Sequence, residues 1–334
     1  LIYMIVGIAA FMYQKHKFNE DMKMTKQEVK DEYKNKMKKI CDFTVPVGWR
    51  NQYCGLLTAT LGNTVFYFID NEYYFKRGGA YGYYDDGERF AYFSMAILEA
   101  MRQLDYYPDI IHCNDWQTGP LCAYLKEIYS HMMPYSKIKT LYTIHNLQYQ
   151  GRFAPSTLDM MGLPGWAWNN VEFYDSVSFM KMGLVYCDYI STVSETYAYE
   201  IQTSEYGYGM EGILRSRADR LCGIINGIDF VANNPATDKH IVKHFDAAHP
   251  EDKAENKRAL QERLGLEQRD VPVIGMITRL ADQKGIDIFA HVVDEMMRRD
   301  VQFVLLGTGE ASYEYLFRAM QASYPGRVSA NIVF

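Results

Sequence analysis

The sequence predicts an α/β protein with two domains, each built around a parallel sheet. Short apolar runs typical of buried strands alternate with longer segments whose apolar residues recur at helical spacing. A polar stretch, Asn233–Asn256, separates two such series. Several of the strand-like runs are followed by polar or turn-forming residues, where an open α/β sheet places its ligand crevice. We therefore expect two sheets joined by right-handed crossovers.

The first series contains five predicted strands and three predicted helices. The strands are Val65–Ile69, Asp109–Cys113, Thr140–His145, Tyr189–Val193 and Leu221–Ile225. The helices are Arg89–Arg102, Gly119–Tyr129 and Phe179–Tyr186. The second series is strand Val273–Ile277, helix Ile286–Arg299, strand Val301–Leu306, helix Glu310–Ser323 and a final apolar run. We assign residues 37–245 to an N-terminal domain and 246–334 to a partial C-terminal domain.

The composition indicates which classes of protein the sequence is compatible with. With 334 residues, 48% of them hydrophobic and 23% charged, the chain is typical of a soluble globular enzyme of about two domains. The net charge is −6, so the chain lacks the positive electrostatic potential that attracts nucleic acid. The six cysteines form no CxxC pair and lie near no histidine at zinc spacing. This pattern favours free thiols in the cytoplasm over disulfides or a metal site.

Residues 1–36 differ from the rest. Leu1–Tyr13 is an uninterrupted apolar run, too short for a membrane-spanning helix, although it is compatible with a remnant of one. Cations follow this run rather than precede it, unlike in a signal peptide. The string MTKQEVKDEYK resembles the segment after the last membrane helix of the flagellar and type III export-apparatus switch protein. Thr25 and Glu28 match the capping box at the start of a helix, and the resemblance implies a foreign helical extension.

Two cations mark the end of the strand Val273–Ile277. Arg279 and Lys284 flank a short polar loop before a predicted helix, in the string VIGMITRLADQKG. A helix N-terminus adds backbone N–H groups and partial positive charge, so this position suits a phosphate. The alternative is a solvated loop with two surface cations. Gly307, in Gly307-Thr308-Gly309, is either part of a phosphate loop or an aid to a tight turn.

Three strings in the first series carry further candidates. Asp115, in IIHCNDWQTG, follows a strand, and we favour a helix cap over a contact with sugar hydroxyls. His145, in TIHNLQYQG, is equally consistent with a structural histidine and with a group that contacts a ligand. Tyr83 lies in YGYYDDGER, for which an aromatic turn is the favoured interpretation. The tyrosine-rich segment Tyr53–Phe93 suits either a carbohydrate surface or ordinary packing.

Several strings occur in one order: YFIDNEYYFKR, YGYYDDGERF, IIHCNDWQTG, TIHNLQYQG, STVSETYAYEI, GIINGID and NPATDK. With them, residues 38–334 resemble bacterial glycogen synthase and plant starch synthase, retaining glucosyltransferases that extend α-1,4-glucan from a nucleotide-diphosphate glucose. The resemblance implies the GT-B fold, in which two Rossmann-like domains, here both incomplete, face each other across a deep cleft. It also implies ADP-glucose, or else UDP-glucose, as donor, α-1,4-glucan as acceptor, and neither cofactor nor metal.

The resemblance also implies roles for individual residues. Arg279 and Lys284 match the cations that hold the donor pyrophosphate, and we group them with Asp115 and His145 as catalytic. His145 matches the histidine beside the donor sugar, and Asp115 matches an aspartate near the transferred glucose. The remaining substrate-binding candidates are Tyr83, Asn146, Gln150, Asn226 and Gly307.

Two departures from the family pattern lead to a further expectation. The family's Lys-Thr-Gly-Gly-Leu loop and first strand are missing, and the sequence stops before its Glu-x7-Glu region. We therefore expect a chimeric or misassembled chain that is inactive as it stands. Three alternatives remain: a membrane export component, another GT-B nucleotide-sugar enzyme, and a noncatalytic glucan-binding module.

Overall fold

The computed structural model describes residues 37–61, 63–231 and 233–333. The expectations for residues 1–36, including the capping box and the foreign extension, lie outside these residues. The described chain divides into two compact units, with the division after Gly227. The sequence predicts this boundary at residue 245. The polar stretch instead belongs with the second unit, because Asn256 exchanges hydrogen bonds with the backbone of Lys243.

The first unit opens with an antiparallel sheet of three strands in the order β1–β2–β3. They are β1 (Lys38–Val47), β2 (Arg50–Leu61) and β3 (Thr64–Asp70). The predicted strand Val65–Ile69 lies within β3. The sequence analysis missed β1 and β2, because much of β1 is exposed and its sequence, with Pro46 near its end, contains no apolar run.

A parallel sheet forms the centre of the first unit, in the order β4–β5–β8–β9. The further strands of this unit are β4 (Ile110–Asn114), β5 (Lys139–Ile144), β6 (Arg152–Phe153), β7 (Val177–Ser178), β8 (Tyr189–Thr192) and β9 (Leu221–Gly223). Each predicted parallel strand is present, although β9 ends at Gly223 rather than at Ile225. Strands β6 and β7 form a separate antiparallel pair.

Among the described residues of the first unit, eight segments form α-helices. They are α1 (Glu72–Phe75), α2 (Asp86–Leu104), α3 (Gly119–Tyr124), α4 (Thr157–Met161), α5 (Trp168–Val171), α6 (Phe179–Tyr186), α7 (Glu195–Glu200) and α8 (Glu211–Ser216). A π-helical turn, Leu125–Tyr129, continues α3, so the predicted helix Gly119–Tyr129 changes type partway. Helices α3 and α6 approach closely at Gly119, where a Cβ would lie 1.8 Å from the carbonyl oxygen of Phe179.

The second unit alternates helices with a parallel sheet in the order β10–β11–β12. Its elements are α9 (Lys253–Arg263), β10 (Val273–Ile277), α10 (Ile286–Met297), β11 (Gln302–Leu306), α11 (Ala311–Ser323) and β12 (Val328–Asn331). Stacked rings fill its core: the centroids of Phe289 and Phe303 lie 5.0 Å apart, and those of Phe303 and Phe317 lie 6.0 Å apart. The predicted α/β class with parallel sheets is confirmed. Within the described ranges, no helix is long and apolar enough to cross a membrane.

Candidate functional site

Asp115 lies immediately after β4, at the edge of the sheet where the parallel strands end. Its backbone has φ 56° and ψ −177°, a conformation that residues other than glycine rarely adopt. Its N–H donates to the carbonyl oxygen of Thr143 at 3.0 Å. Its Oδ1 accepts a hydrogen bond from the backbone N–H of His145 at 2.8 Å. These two bonds hold the strained residue between the ends of β4 and β5.

The favoured interpretation of Asp115 as a helix cap is wrong. The residue does precede a 3-10 turn, Trp116–Thr118, but its carboxylate makes no hydrogen bond to that turn. The carboxylate instead binds the loop that follows β5, because the left-handed backbone directs it there. Asp115 therefore joins two strand ends, and its second carboxylate oxygen has no hydrogen-bond partner within the described chain.

His145 lies beside Asp115 with an exposed side chain. Its Nε2 is 3.0 Å from Oδ1 of Asn114, so the ring is oriented by a neighbouring amide rather than buried in the core. The structure thus brings two of the predicted site residues together at one sheet edge. Their catalytic roles stay predictions.

The other candidates of this unit either make hydrogen bonds to loop backbone or are exposed. Oδ1 of Asn146 accepts from the N–H of Gln148 at 3.0 Å, which closes a turn. Nε2 of Gln150 donates to the carbonyl oxygen of Tyr208 at 3.0 Å. Asn226 is exposed and lies three residues beyond the end of β9.

Tyr83 is held between two guanidinium groups. The guanidinium carbon of Arg77 lies 4.9 Å from the ring centroid and that of Arg89 lies 5.1 Å away. The hydroxyl of Tyr83 accepts from the N–H of Gly79 at 2.8 Å. Arg89 also forms a buried ion pair with Asp86, at the start of α2. The ring of Tyr83 therefore packs within its own loop, as the aromatic-turn interpretation requires.

Trp116 is a residue that the sequence analysis did not single out. Its ring contacts Tyr81 at 6.4 Å and Phe90 at 5.0 Å between centroids. A Cβ at Gly151 would lie 2.4 Å from the same ring, and Gly151 has φ 55°. Three of the distinctive strings therefore meet at Trp116, next to Asp115. The available signal was the position of two of these strings directly after parallel strands and of the third before a helix.

In the second unit, Arg279 and Lys284 occupy the loop after β10, as predicted. Both side chains are exposed. Nη2 of Arg279 donates to Oε1 of Gln283 at 3.1 Å, and no carboxylate of the described residues forms an ion pair with either cation. Helix α10 begins after Gly285, at φ 68°, without a side-chain cap. Two unneutralised cations therefore lie beside backbone N–H groups that are available to an anion.

The glycines at the end of β11 have a steric explanation. A Cβ at Gly307 would lie 1.9 Å from the carbonyl oxygen of Thr278, and one at Gly309 would lie 2.0 Å from that of Leu280. Leu280 donates its N–H to Thr308 at 2.9 Å and accepts from Glu310 at 2.8 Å. Gly307 thus allows close approach to the loop that carries Arg279. Its predicted contact with substrate is untested.

The described residues contain no cluster of side chains suited to bind a metal ion. Across residues 37–61, 63–231 and 233–333, no group of three or more His, Cys, Asp or Glu side chains is placed to hold a metal ion. All six cysteines are free thiols, and four of them are buried.

Comparison with known proteins identifies related sequences and structures. A family model described as "Starch synthase catalytic domain" matches residues 13–216. Glycogen synthase of Clostridium novyi is 48% identical over 311 residues, which cover 92% of this chain and 65% of that protein. Glycogen synthase of Clostridioides difficile is 49% identical over 309 residues, which cover 90% and 64%. The chain therefore spans about two thirds, or slightly less, of these relatives' length.

A solved structure shows the same fold. The catalytic domain of starch synthase IV from Arabidopsis thaliana, bound to ADP and acarbose, matches with a TM-score of 0.81 and 31% identity, covering 89% of this chain and 63% of that one. The family match begins at residue 13, so it overlaps part of residues 1–36, for which the sequence suggested a second resemblance. From these matches and its α/β architecture, the chain belongs to the starch synthase catalytic domain family, and the resemblance to glycogen and starch synthases is confirmed.

Proposed function

We propose that this protein transfers glucose from ADP-glucose to the non-reducing end of an α-1,4-glucan, with retention of configuration. The observation that carries the proposal is the pair of exposed cations, Arg279 and Lys284, in the loop that joins β10 to α10. Neither cation has an acidic partner in the described chain, and the start of α10, which follows the loop, has no side-chain cap. Family membership supports the reaction class, and the related starch synthase structure holds ADP.

The chemistry of the loop suits a departing diphosphate. Negative charge develops on the leaving group as the glycosidic bond breaks, and fixed positive groups stabilise that charge most strongly in the transition state. Arg279 supplies a planar fork that can bind two phosphate oxygens, whereas Lys284 supplies a compact point charge. In this proposal Arg279 and Lys284 stabilise the charge on the leaving diphosphate, and neither a metal ion nor a cofactor is required.

The Asp115 cluster suits the sugar side of the reaction. One carboxylate oxygen of Asp115 is used by His145, which fixes the direction of the other. That second oxygen is available to accept a hydrogen bond from a glucose hydroxyl. The exposed imidazole of His145 lies next to it, and Asn114 fixes its orientation. We propose that both groups bind the transferred glucose. The free thiols support the cytoplasmic location proposed from the sequence.

The test combines ADP binding with glucose transfer. Calorimetric titration with ADP should succeed with the unsubstituted chain, and transfer of radiolabelled glucose from ADP-glucose to glycogen decides between the proposed activity and the inactivity expected from the missing family segments. Lys284→Ala should lower turnover by about 10²- to 10³-fold, as loss of one transition-state donor does elsewhere. Lys239→Ala, which changes another exposed lysine of the same unit, serves as the matched control and should change neither quantity.

The remaining outcomes separate the alternatives. UDP-glucose assayed in parallel decides the donor nucleotide. Retention on immobilised glucan without affinity for ADP would instead favour a glucan-binding module, for which the exposed rings of Tyr73, Tyr81 and Tyr84 are suitable. An unchanged rate in Lys284→Ala would remove that lysine from the mechanism.

A further inference from the structure

We propose that Tyr313 is a positioning residue for the diphosphate site, because its hydroxyl binds Asp282 and so fixes the loop that carries Arg279 and Lys284. This inference rests on the proposed function of that loop. Tyr313 lies in the first turn of α11, and its hydroxyl donates a hydrogen bond to Oδ1 of Asp282. Sequence analysis gave no role to either residue.

Asp282 fixes the loop in two ways, through its backbone and through its side chain. It begins the 3-10 turn Asp282–Lys284, and its carbonyl oxygen accepts from the N–H of Gly285 at 2.8 Å. Lys284 donates its own N–H to Ala281 at 2.9 Å. The backbone of Asp282 therefore closes the turn that presents Lys284, while its side chain ties that turn to α11.

The two ends of the loop are held differently. At its start, Leu280 exchanges backbone hydrogen bonds with the segment Thr308–Glu310. Farther along, the bond from Tyr313 is the one side-chain hydrogen bond that reaches residues 279–285 from elsewhere in the described chain. The backbone bonds fix the neighbourhood of Arg279, so the Tyr313 hydroxyl is what restrains the Lys284 side of the loop.

The bond also determines where the Asp282 charge points. The hydrogen bond to Asp282 raises the pKa of Tyr313 to about 12, so the hydroxyl remains protonated and a donor at neutral pH. While it is bound there, the carboxylate is directed toward α11. When the bond to Tyr313 is lost, the Asp282 carboxylate competes with an incoming phosphate for Lys284 or Arg279. A nearby carboxylate neutralises the positive charge that the phosphate needs. Tyr313 thus keeps an acidic residue from disabling the cations next to it.

The experiment measures ADP affinity by calorimetric titration of the full chain. Tyr313→Phe removes only the hydroxyl and should weaken ADP binding by about three- to tenfold, the usual range for loss of one hydrogen bond. Tyr315→Phe is the matched control: this tyrosine lies on the same helix and is 75% exposed, so ADP affinity should be unchanged. Urea unfolding should show equal stability for both variants.

A rescue variant distinguishes positioning from a merely structural effect. Adding Asp282→Asn to Tyr313→Phe removes the competing charge, so ADP affinity should return most of the way to that of the unsubstituted chain. Equal affinity in Tyr313→Phe and Tyr315→Phe, or a weakened Tyr313→Phe that Asp282→Asn does not rescue, would overturn the inference. The proposed function stands in that case if Lys284→Ala still lowers turnover as expected. Failure of the unsubstituted chain to bind ADP would overturn both.

Discussion

The two groups of candidate site residues differ in how their charges are satisfied. In the first unit, Asp115 is bonded to the end of a neighbouring strand, and nearby Asp86 and Arg89 form a pair whose side chains are only 7% and 3% exposed. In the second unit, Arg279 and Lys284 are exposed and have no carboxylate partner in the described chain. The first group is therefore organised by the protein itself, whereas the second keeps its charge for a ligand.

This difference separates stability from binding. A buried charge that has lost its partner is costly, because the interior cannot replace the missing hydrogen bonds. An exposed cation without a partner contributes little to folding, because water already solvates it. Substitutions in the first group should therefore change the free energy of unfolding, and substitutions in the second should change affinity for an anion.

The largest expected effect is on the buried ion pair. Arg89→Met leaves Asp86 buried and unpaired, and it removes hydrogen bonds to the carbonyl oxygens of Tyr74 and Ala80. We expect the free energy of unfolding of the first unit to fall by about 3–5 kcal/mol. Tryptophan fluorescence during urea unfolding reports this unit selectively, because all four tryptophans lie in it: Trp49, Trp116, Trp166 and Trp168.

The control for this measurement is Arg298→Met. Arg298 is exposed at the end of α10 in the second unit, so its loss should leave the tryptophan transition unchanged. A loss of less than about 1 kcal/mol in Arg89→Met would mean that the interior tolerates the unpaired Asp86 carboxylate, and the contrast between the two regions would fail.

The sequence predicted the parallel sheets well, because several of their strands, above all β11, are buried and appear in the sequence as short apolar runs. Strand β10 and helix α6 have the predicted bounds. The β1–β2 hairpin was missed, since its exposed edge carries lysines and a proline that no pattern marks as a strand. The boundary predicted at residue 245 differs from the division after Gly227, because a polar stretch resembles a linker in sequence even when Asn256 binds it to the following unit.

The candidate site was predictable in part for a similar reason. Arg279 and Lys284 could be placed because they directly follow an apolar strand. The role of the Asp115 carboxylate could not, because it depends on a backbone conformation that the sequence does not encode locally and that Thr143 and His145 impose. Trp116 and Tyr313 act across long sequence separations, so their contacts required the fold.

A second, smaller effect should follow from the strained backbone of Asp115. Asp115→Ala loses the bond to His145 and keeps the unfavourable φ of 56°, whereas Asp115→Gly loses the same bond but relieves the strain. We expect the glycine variant to be more stable than the alanine variant by about 1–3 kcal/mol. Urea unfolding followed by tryptophan fluorescence measures the difference.

The same pair of substitutions at an exposed helical position gives the control. Asp159 lies within α4, where glycine is less favourable than alanine by about 1 kcal/mol. The order of stability should therefore be reversed relative to position 115. If alanine proves more stable than glycine at both positions, the backbone at Asp115 is not strained, and its conformation has another cause.

The smallest expected effect on stability belongs to the cation loop, and it is the most direct test of the contrast. Arg279→Gln and Lys284→Gln remove the charge of each side chain and leave a shorter, polar side chain in its place. Since neither cation is paired with a carboxylate of the described chain, each variant should change the free energy of unfolding by no more than about 0.5 kcal/mol. Urea unfolding followed by far-ultraviolet circular dichroism includes the second unit and measures this quantity. A stability loss above about 1 kcal/mol would show that these charges serve the fold, because a group reserved for a ligand contributes to the unliganded protein only through its solvation.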